Sequence, residues 1–216
     1  MDINDDVAEL MGILTGDGFI NYYPKRQAYL IEIAGNKLKD EDYLNKYVRD
    51  LIENLFNFVP RFYTYKNQNT IRLVVRSKKI FSFLKEIGFP TGRKEEISIP
   101  NWILKNEQFF KRFVKGVFDT DGCLCLKNKE GKKYPVVSIS SKSKTLLIPV
   151  KEFLRSYNIS SYLDKYSSKN EKRYYQKEWE VYKLQINGKK NISLFFKVIG
   201  SENKRNLAKY EEFLSL

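Results

Sequence analysis

Apolar residues at positions 7, 10, 11, 13 and 14 recur with helical spacing and stop at Asp17-Gly18, so the chain opens with a helix ended by an Asp-Gly turn. Residues 19–23 and 29–34 read as strands on either side of Pro24-Lys25-Arg26. Over 36–56, Tyr43, Leu44, Tyr47, Val48, Leu51, Ile52 and Leu55 fall on one face of a long helix. Residues 61–66 and 70–77 form a hairpin around Asn67-Gln68-Asn69, and a helix over 78–87 ends at Gly88.

The same order then returns. A helix over 110–120 ends at Asp121-Gly122. Strands at 123–127 and 136–140 flank Gly131-Lys132-Lys133, and a helix covers 142–157. Strands at 160–166 and 179–186 follow, then a helix over 191–199 ending at Gly200, and a last helix over 203–216. Asp17 matches Asp121, Ile33 matches Ile139, Lys37 matches Lys142, and Ile87-Gly88 matches Ile199-Gly200. The fold class is therefore α+β: two αββαββα repeats, 1–102 and 103–216. No stretch between them is rich enough in Pro, Gly and Ser to be a flexible linker, so they are expected to pack as one pseudo-symmetric body. Internal two-fold symmetry suits a two-fold target such as a DNA duplex.

Charge sharpens this picture. The 216 residues hold 39 Lys and Arg against 26 Asp and Glu, a net of +13, which favours a polyanionic partner. The excess is lopsided: residues 1–102 carry 15 basic and 14 acidic side chains, and 103–216 carry 24 and 12. Histidine is absent, which removes serine triads, histidine-ligated zinc and histidine general bases. What remains is carboxylate, lysine, hydroxyl or thiol chemistry, or a hard metal held by oxygens. An aromatic content of 15% excludes a disordered chain. No apolar run reaches bilayer-spanning length, and the acidic start Met1-Asp2-Ile3-Asn4-Asp5-Asp6 is no signal peptide. Two cysteines cannot build a disulfide framework, so an intracellular compartment is expected. Cys123 and Cys125 are expected to be small core-facing residues, and Trp102 and Trp179 core aromatics.

The Asp-Gly helices carry the candidate chemistry. Gly12 and Gly16 lie four apart on one helix face, and each costs roughly 1 kcal/mol relative to alanine. The second copy has Gly116 and Thr120 at the same places. Small residues on both faces predict that the two helices pack closely, bringing Asp17 beside Asp121. Carboxylates at helix C-termini sit at the negative end of the dipole and repel each other, an arrangement that makes sense if divalent cations bind between them.

Leu10-Met11-Gly12-Ile13-Leu14-Thr15-Gly16-Asp17-Gly18 and Val114-Lys115-Gly116-Val117-Phe118-Asp119-Thr120-Asp121-Gly122 resemble the two signatures of the LAGLIDADG homing endonucleases. The second copy keeps both acidic positions, Asp119 and Asp121; the first has Thr15 at the earlier one. The resemblance covers essentially the whole chain. It implies a monomer whose antiparallel β-saddles straddle the major groove of a long double-stranded DNA site and whose paired helices cut both strands across the minor groove. It further implies that Asp17 and Asp121 bind metal, with the carbonyls of Gly16 and Thr120 as neighbouring ligands. Oxygen-only ligation points to Mg²⁺, with Mn²⁺ equivalent and Ca²⁺ as a non-cleaving substitute. The family's active-site lysines map to Lys94 and Lys204, with Arg93 and Arg205 as rivals. Asn36 and Ser141 map to its solvent-orienting polar residues, followed by Lys37 and Lys142.

Strand alternation supplies the DNA-reading candidates, since one parity packs on helices and the other is free. These are Tyr63, Tyr65, Arg72 and Arg76 in the first repeat and Lys127, Lys129, Lys183 and Gln185 in the second. Lys165, Lys169, Lys172, Arg173 and Lys177 are expected near a loop that reaches the DNA backbone. The chain opens at Met1 and ends at Leu216 without a His-Asn pair, so a free-standing, intron-encoded protein is expected rather than a splicing insert. Two readings compete: a site-specific endonuclease, and an RNA-splicing maturase or non-cleaving DNA-binding regulator on the same fold, for which intron RNA would be a partner. Retention of both aspartates favours the first.

Overall fold

The computed structural model describes residues 1–66, 68–94, 96–167 and 180–215. The first repeat runs α1 (Asp5–Asp17), β1 (Gly18–Tyr23), β2 (Ala28–Asn36), α2 (Lys37–Asp42), a π-helical segment (Tyr43–Val48), α3 (Arg49–Phe56), β3 (Arg61–Thr64), β4 (Thr70–Val75) and α4 (Lys78–Glu86). A short helix α5 (Asn101–Leu104) spans the position where the sequence divides. The second repeat runs α6 (Glu107–Asp121), β5 (Gly122–Lys129), β6 (Lys132–Ser141), α7 (Lys144–Ser156), β7 (Ser161–Ser167), β8 (Glu180–Asn187) and α8 (Lys189–Val198), followed by α9 (Lys204–Leu214).

Each repeat folds its strands into one antiparallel sheet, with order β1-β2-β4-β3 in the first and β5-β6-β8-β7 in the second. Registers agree: Gly18 opposes Ile33, which opposes Leu73, and Gly122 opposes Ile139, which opposes Leu184. One face of each sheet is buried against helices through Ile20, Ile31, Ile33, Ile71 and Leu73, and through Leu124, Val137, Ile139, Leu184 and Ile186. These residues alternate along their strands, so the other face is left open. Tyr63 and Arg72 oppose each other on the open face of the first sheet.

The centre is the packing of α1 on α6. Both begin at an asparagine cap: Asn4 Oδ1 accepts from the Val7 amide at 2.9 Å, and Asn106 Oδ1 from the Phe109 amide at 3.1 Å. A Cβ on Gly12 would lie 2.1 Å from the Phe113 carbonyl oxygen, and one on Gly116 would lie 2.4 Å from that of Glu9. Backbone thus meets backbone, as the small-residue spacing predicts. Where each helix hands over to a strand, a Cβ on Gly18 would meet Leu14 Cα at 2.4 Å, and one on Gly122 would meet the Phe118 oxygen at 2.5 Å. The glycine after each aspartate is therefore required by the sharp turn-out of β1 and β5.

One buried polar network departs from the internal symmetry. Glu9, fully buried on α1, pairs with Lys115 of α6 at 3.2 Å and with Arg112 at 2.9 Å. Tyr47, on the π-helical segment, donates to Glu9 at 2.6 Å. Lys115 also reaches Glu202 at 3.1 Å. Burial pushes the Glu9 carboxyl up, and Lys115 opposes that shift.

Several expectations change. Leu124 takes the core side of β5, so Cys123 and Cys125 lie on the open face, with Cys125 exposed. The second long helix starts at Lys144, not 142, because Ser143 is its cap residue. The helix over 36–56 contains one widened π turn at Tyr43–Val48. Trp102 packs as expected, donating to the Ile87 carbonyl at 2.8 Å and standing edge-on to Phe109. Asn67, Lys169, Lys172, Arg173, Lys177, Trp179 and the side chain of Lys129 lie outside the described residues.

Because no side-chain rotation can relieve a backbone clash, Gly12→Ala or Gly116→Ala must push α1 and α6 apart. Each is expected to destabilise the protein by about 3 kcal/mol or more, read from denaturant unfolding midpoints.

Candidate active site

The helix pair delivers Asp17 and Asp121 to one place. A Cβ on Gly16 would touch Thr120 Oγ1 at 2.0 Å and come within 3.3 Å of Asp121 Cγ, so each helix end leans on the other. Among the described residues, neither carboxylate makes a hydrogen bond or ion pair. Both aspartates reach solvent; partial desolvation by the protein around Asp121, then the charge of Asp17, still pushes the Asp121 carboxyl up to about 7. Asp17 is raised too, by its surroundings and then by Asp40. Two adjacent, unpaired carboxylates at the negative ends of two helices suit a hard divalent cation, and the nearby donors are all oxygens.

A cation caps each helix end. Lys94 Nζ donates to the carbonyls of Leu14, Thr15 and Gly16 at 2.9, 2.8 and 2.8 Å. Burial lowers its pKa, and Asp121 followed by Asp17 raises it in opposition. At the other helix the matching group is Arg205, whose Nη2 donates to Asp119, Thr120 and Gly122 carbonyls at 3.2, 2.7 and 3.2 Å. Lys204 is not brought to this place. It is exposed and pairs with Asp42 at 2.6 Å. Asn203 caps α9 by accepting from the Arg205 amide, which turns residue 205 inward and residue 204 out. The carbonyls of Gly16 and Thr120, expected as metal ligands, already accept from these cations, and each retains a second lone pair.

One cleft opens at Asp121 and another beside Arg205. The first, of about 290 Å³, is lined by Gly16, Lys94, Asp121, Ser141 and Lys142. The other is lined by Lys37, Lys39, Asp42, Lys204 and Arg205. Ser141 accepts from the Ser143 amide at 3.1 Å, and Asn36 caps α2 by accepting from the Leu38 amide at 3.0 Å. Asn36 is therefore held by a structural bond, whereas Ser141 also lines the first cleft.

Asp40 is the residue that sequence reasoning missed. Nearly fully buried, it accepts from the Asn36 amide at 2.9 Å and from Asn203 Nδ2 at 3.1 Å, and it pairs with Arg205 at 3.1 Å. Asp119, the earlier acid of the second signature, is structural. Burial pushes it to about 7, against a hydrogen bond from Ser201 and another from the Glu202 amide at 2.8 Å.

The open sheet faces hold most strand candidates. Arg72 pairs with Glu32 at 3.2 Å and lies over the Tyr65 ring at 5.4 Å. Lys127 and Arg76 are exposed and Lys183 is half-buried on the same side as Cys125. Lys165 pairs with Glu180 at 2.5 Å. Gln185 has the expected parity but is buried, donating to Asp164 and to the Tyr166 hydroxyl at 3.2 Å each. Those two residues, not Gln185, present themselves outward.

Paired helices ending in twin aspartates, each leading an αββαββα unit with an open sheet face, are the arrangement that the resemblance to the LAGLIDADG family implies. Residues 109–200 match the family model described as a LAGLIDADG-like domain. The second repeat thus carries a LAGLIDADG-like domain, and the whole chain is similar in fold to double-motif LAGLIDADG structures. The structure of I-DmoI in complex with DNA and Mn matches it with a TM-score of 0.62, at 20% identity, over 91% of this chain and 96% of that one. Full-length DUF199/WhiA from Thermotoga maritima matches at 0.59 and 15% identity, over 98% of this chain and 60% of that one. An uncharacterized protein of Methanocaldococcus jannaschii is 26% identical over 160 residues, 72% of this chain and 56% of the relative. The tRNA-splicing ligase RtcB of Methanopyrus kandleri is 31% identical over 143 residues, 62% of this chain and 14% of the relative. The chain thus spans about half the length of the first curated relative and a small part of the second. Among the described residues no helix is long and apolar enough to cross a membrane.

The raised carboxyls have a definite pH consequence. Unfolded aspartates ionise near about 4, whereas Asp121 and Asp119 keep their protons to about 7. Across that window the folded state binds more protons, so the stability of the metal-free protein should fall as pH rises. Asp121→Asn should flatten the decline, as read from urea midpoints between pH 4 and pH 8; an unchanged slope would contradict the assignment.

Proposed function

We propose that the protein is a site-specific homing endonuclease that makes a double-strand break in a long DNA target by metal-dependent phosphodiester hydrolysis. The observation that carries this reading is the pair of unpartnered carboxylates, Asp17 and Asp121, held side by side between two capping cations. The fold neighbours support it: I-DmoI was solved with DNA and Mn, and with DNA and Ca.

The open faces of the two sheets would seat one half-site each, with Arg72, Arg76, Tyr63 and Tyr65 on one side and Lys127 and Lys183 on the other. Asp17 and Asp121 would hold Mg²⁺, together with the free lone pairs on the Gly16 and Thr120 carbonyls. Such an ion, when held there, would supply activation of water and stabilisation of charge on a phosphate. Lys94 and Arg205 would face the phosphate as fixed positive charges, half-buried and oriented by the helix-end carbonyls. Ser141 and Lys142 line the path by which water enters beside Asp121. As one oxygen–phosphorus bond forms, the opposite one breaks, and the charge that develops is met by groups needing no rearrangement. This chemistry requires no histidine.

The match to DUF199/WhiA over nearly the whole chain favours a second reading, a DNA-binding regulator that does not cut. A selection for cleavage on a randomised duplex library with Mg²⁺ separates the two. Wild type should yield a discrete cut site. Asp17→Asn and Asp121→Asn should each lower the rate by at least about 100-fold while retaining binding. Sequence-selective binding with no cutting, unchanged by either substitution, would establish the regulator instead.

The charge asymmetry gives an independent check. Lys127→Gln with Lys183→Gln should reduce the slope of log affinity against log salt by about 2. Lys190→Gln with Lys197→Gln, on helix α8 behind the sheet, should leave that slope unchanged.

A further inference from the structure

The two capping cations do the same work but are not held alike. Lys94 is held by three carbonyls, and among the described residues no carboxylate lies within ion-pair distance of it. Arg205 is gripped from two sides. Its Nη2 reaches the carbonyls at the end of α6, and its Nη1 meets Asp40 at 3.1 Å. Asp40 comes from the other repeat, and its second oxygen is tied down by the Asn36 amide at 2.9 Å. Asn203, which caps the helix carrying Arg205, donates to both Asp40, at 3.1 Å, and the Asp119 carbonyl, at 2.9 Å. Every bond in this chain is buried or half-buried, so it fixes the guanidinium rather than merely neutralising it.

The internal symmetry offers Lys94 no such partner. Strand register carries position 40 to Leu146, and counting from the helix caps carries it to Leu147; both are buried leucines. One repeat therefore lends a carboxylate across the interface, and the other returns none.

We propose that Asp40 is a positioning residue that locks Arg205 onto the end of α6, so that one of the two cleavage centres depends on it and the other does not. This rests on the endonuclease reading above. Asp40 has its oxygens engaged and does not touch the reacting atoms; it acts through Arg205.

The test uses the full chain, as wild type, Asp40→Asn, Arg205→Lys and the double variant, with Asp40→Ser as the substitute if Asp40→Asn does not fold. Two measurements are made. In the first, arginine side-chain NMR on metal-free protein should show slowly exchanging Arg205 guanidinium protons in wild type, assigned by their absence in Arg205→Lys and lost in Asp40→Asn. In the second, each strand of the selected target is end-labelled and cut with Mg²⁺. Asp40→Asn and Arg205→Lys should slow the same strand by about 10- to 100-fold, and the other strand by less than about 2-fold. The double variant should be no slower than Arg205→Lys alone. Equal slowing of both strands, additive effects, or unchanged Arg205 exchange would overturn the assignment. A wild type that cuts no duplex would instead sink the endonuclease reading, and the exchange measurement alone would then decide whether Asp40 holds Arg205.

Discussion

Everything in this molecule depends on two helices touching through their backbones. The Phe113 carbonyl occupies the space a Cβ on Gly12 would need, and the Glu9 carbonyl does the same at Gly116. Any ordinary side chain there would hold the axes farther apart. Close approach in turn brings the C-terminal ends of α1 and α6 together, and only then do Asp17 and Asp121 sense each other. The glycine contact is thus a packing feature with an electrostatic result: it concentrates two carboxylates and two helix-dipole ends of the same sign in one small volume. Lys94 and Arg205 offset that repulsion by binding the carbonyls, leaving the carboxylates themselves unpaired.

The pseudo-symmetry is strong in the backbone and weak in the side chains. Strand order and register repeat, and so do the asparagine caps of the two central helices. Yet Glu9 pairs with Lys115, where the internal two-fold would place Phe113 and Met11. A buried ion pair adds little over a well-packed apolar pair, but breaking one costs roughly 3–5 kcal/mol. Two copies of the first repeat would bring Glu9 against Met11 with no lysine, and two copies of the second would leave Lys115 without Glu9. The pair therefore selects the unlike pairing of halves. Asp40 with Arg205 works in the same direction at the other end of the interface.

Most of the fold was legible in the sequence, because the hydrophobic period switches between helix and strand at nearly every boundary. The Asp-Gly ends, the Gly12 and Gly116 spacing and the parity of Tyr63, Arg72, Lys127 and Lys183 all follow from local chemistry. What was not legible depends on contacts between distant residues. Lys204 and Arg205 are neighbours with the same charge, and only the Asn203 cap decides which one turns inward. Asp40 reads as an ordinary acidic residue in a first helical turn; its partner Asn203 is 163 residues away. Gln185 has the right parity, but Asp164 and Tyr166 cover it, and no pattern within β8 records that.

The same distinction separates the residues that make the fold from those that would make it cut. The elements that make the fold, namely the helix glycines, the turn-out glycines and the alternating core, are indifferent to whether chemistry occurs. The costly elements are the unpaired aspartates, whose raised carboxyls each oppose folding above the pH at which they would ionise free in water. A protein that only bound DNA would gain stability by replacing either with asparagine, at no loss to its open sheet faces. Both remain here, beside two half-buried cations, Lys94 and Arg205, that bind the helix-end carbonyls and leave the carboxylates themselves unpaired among the described residues.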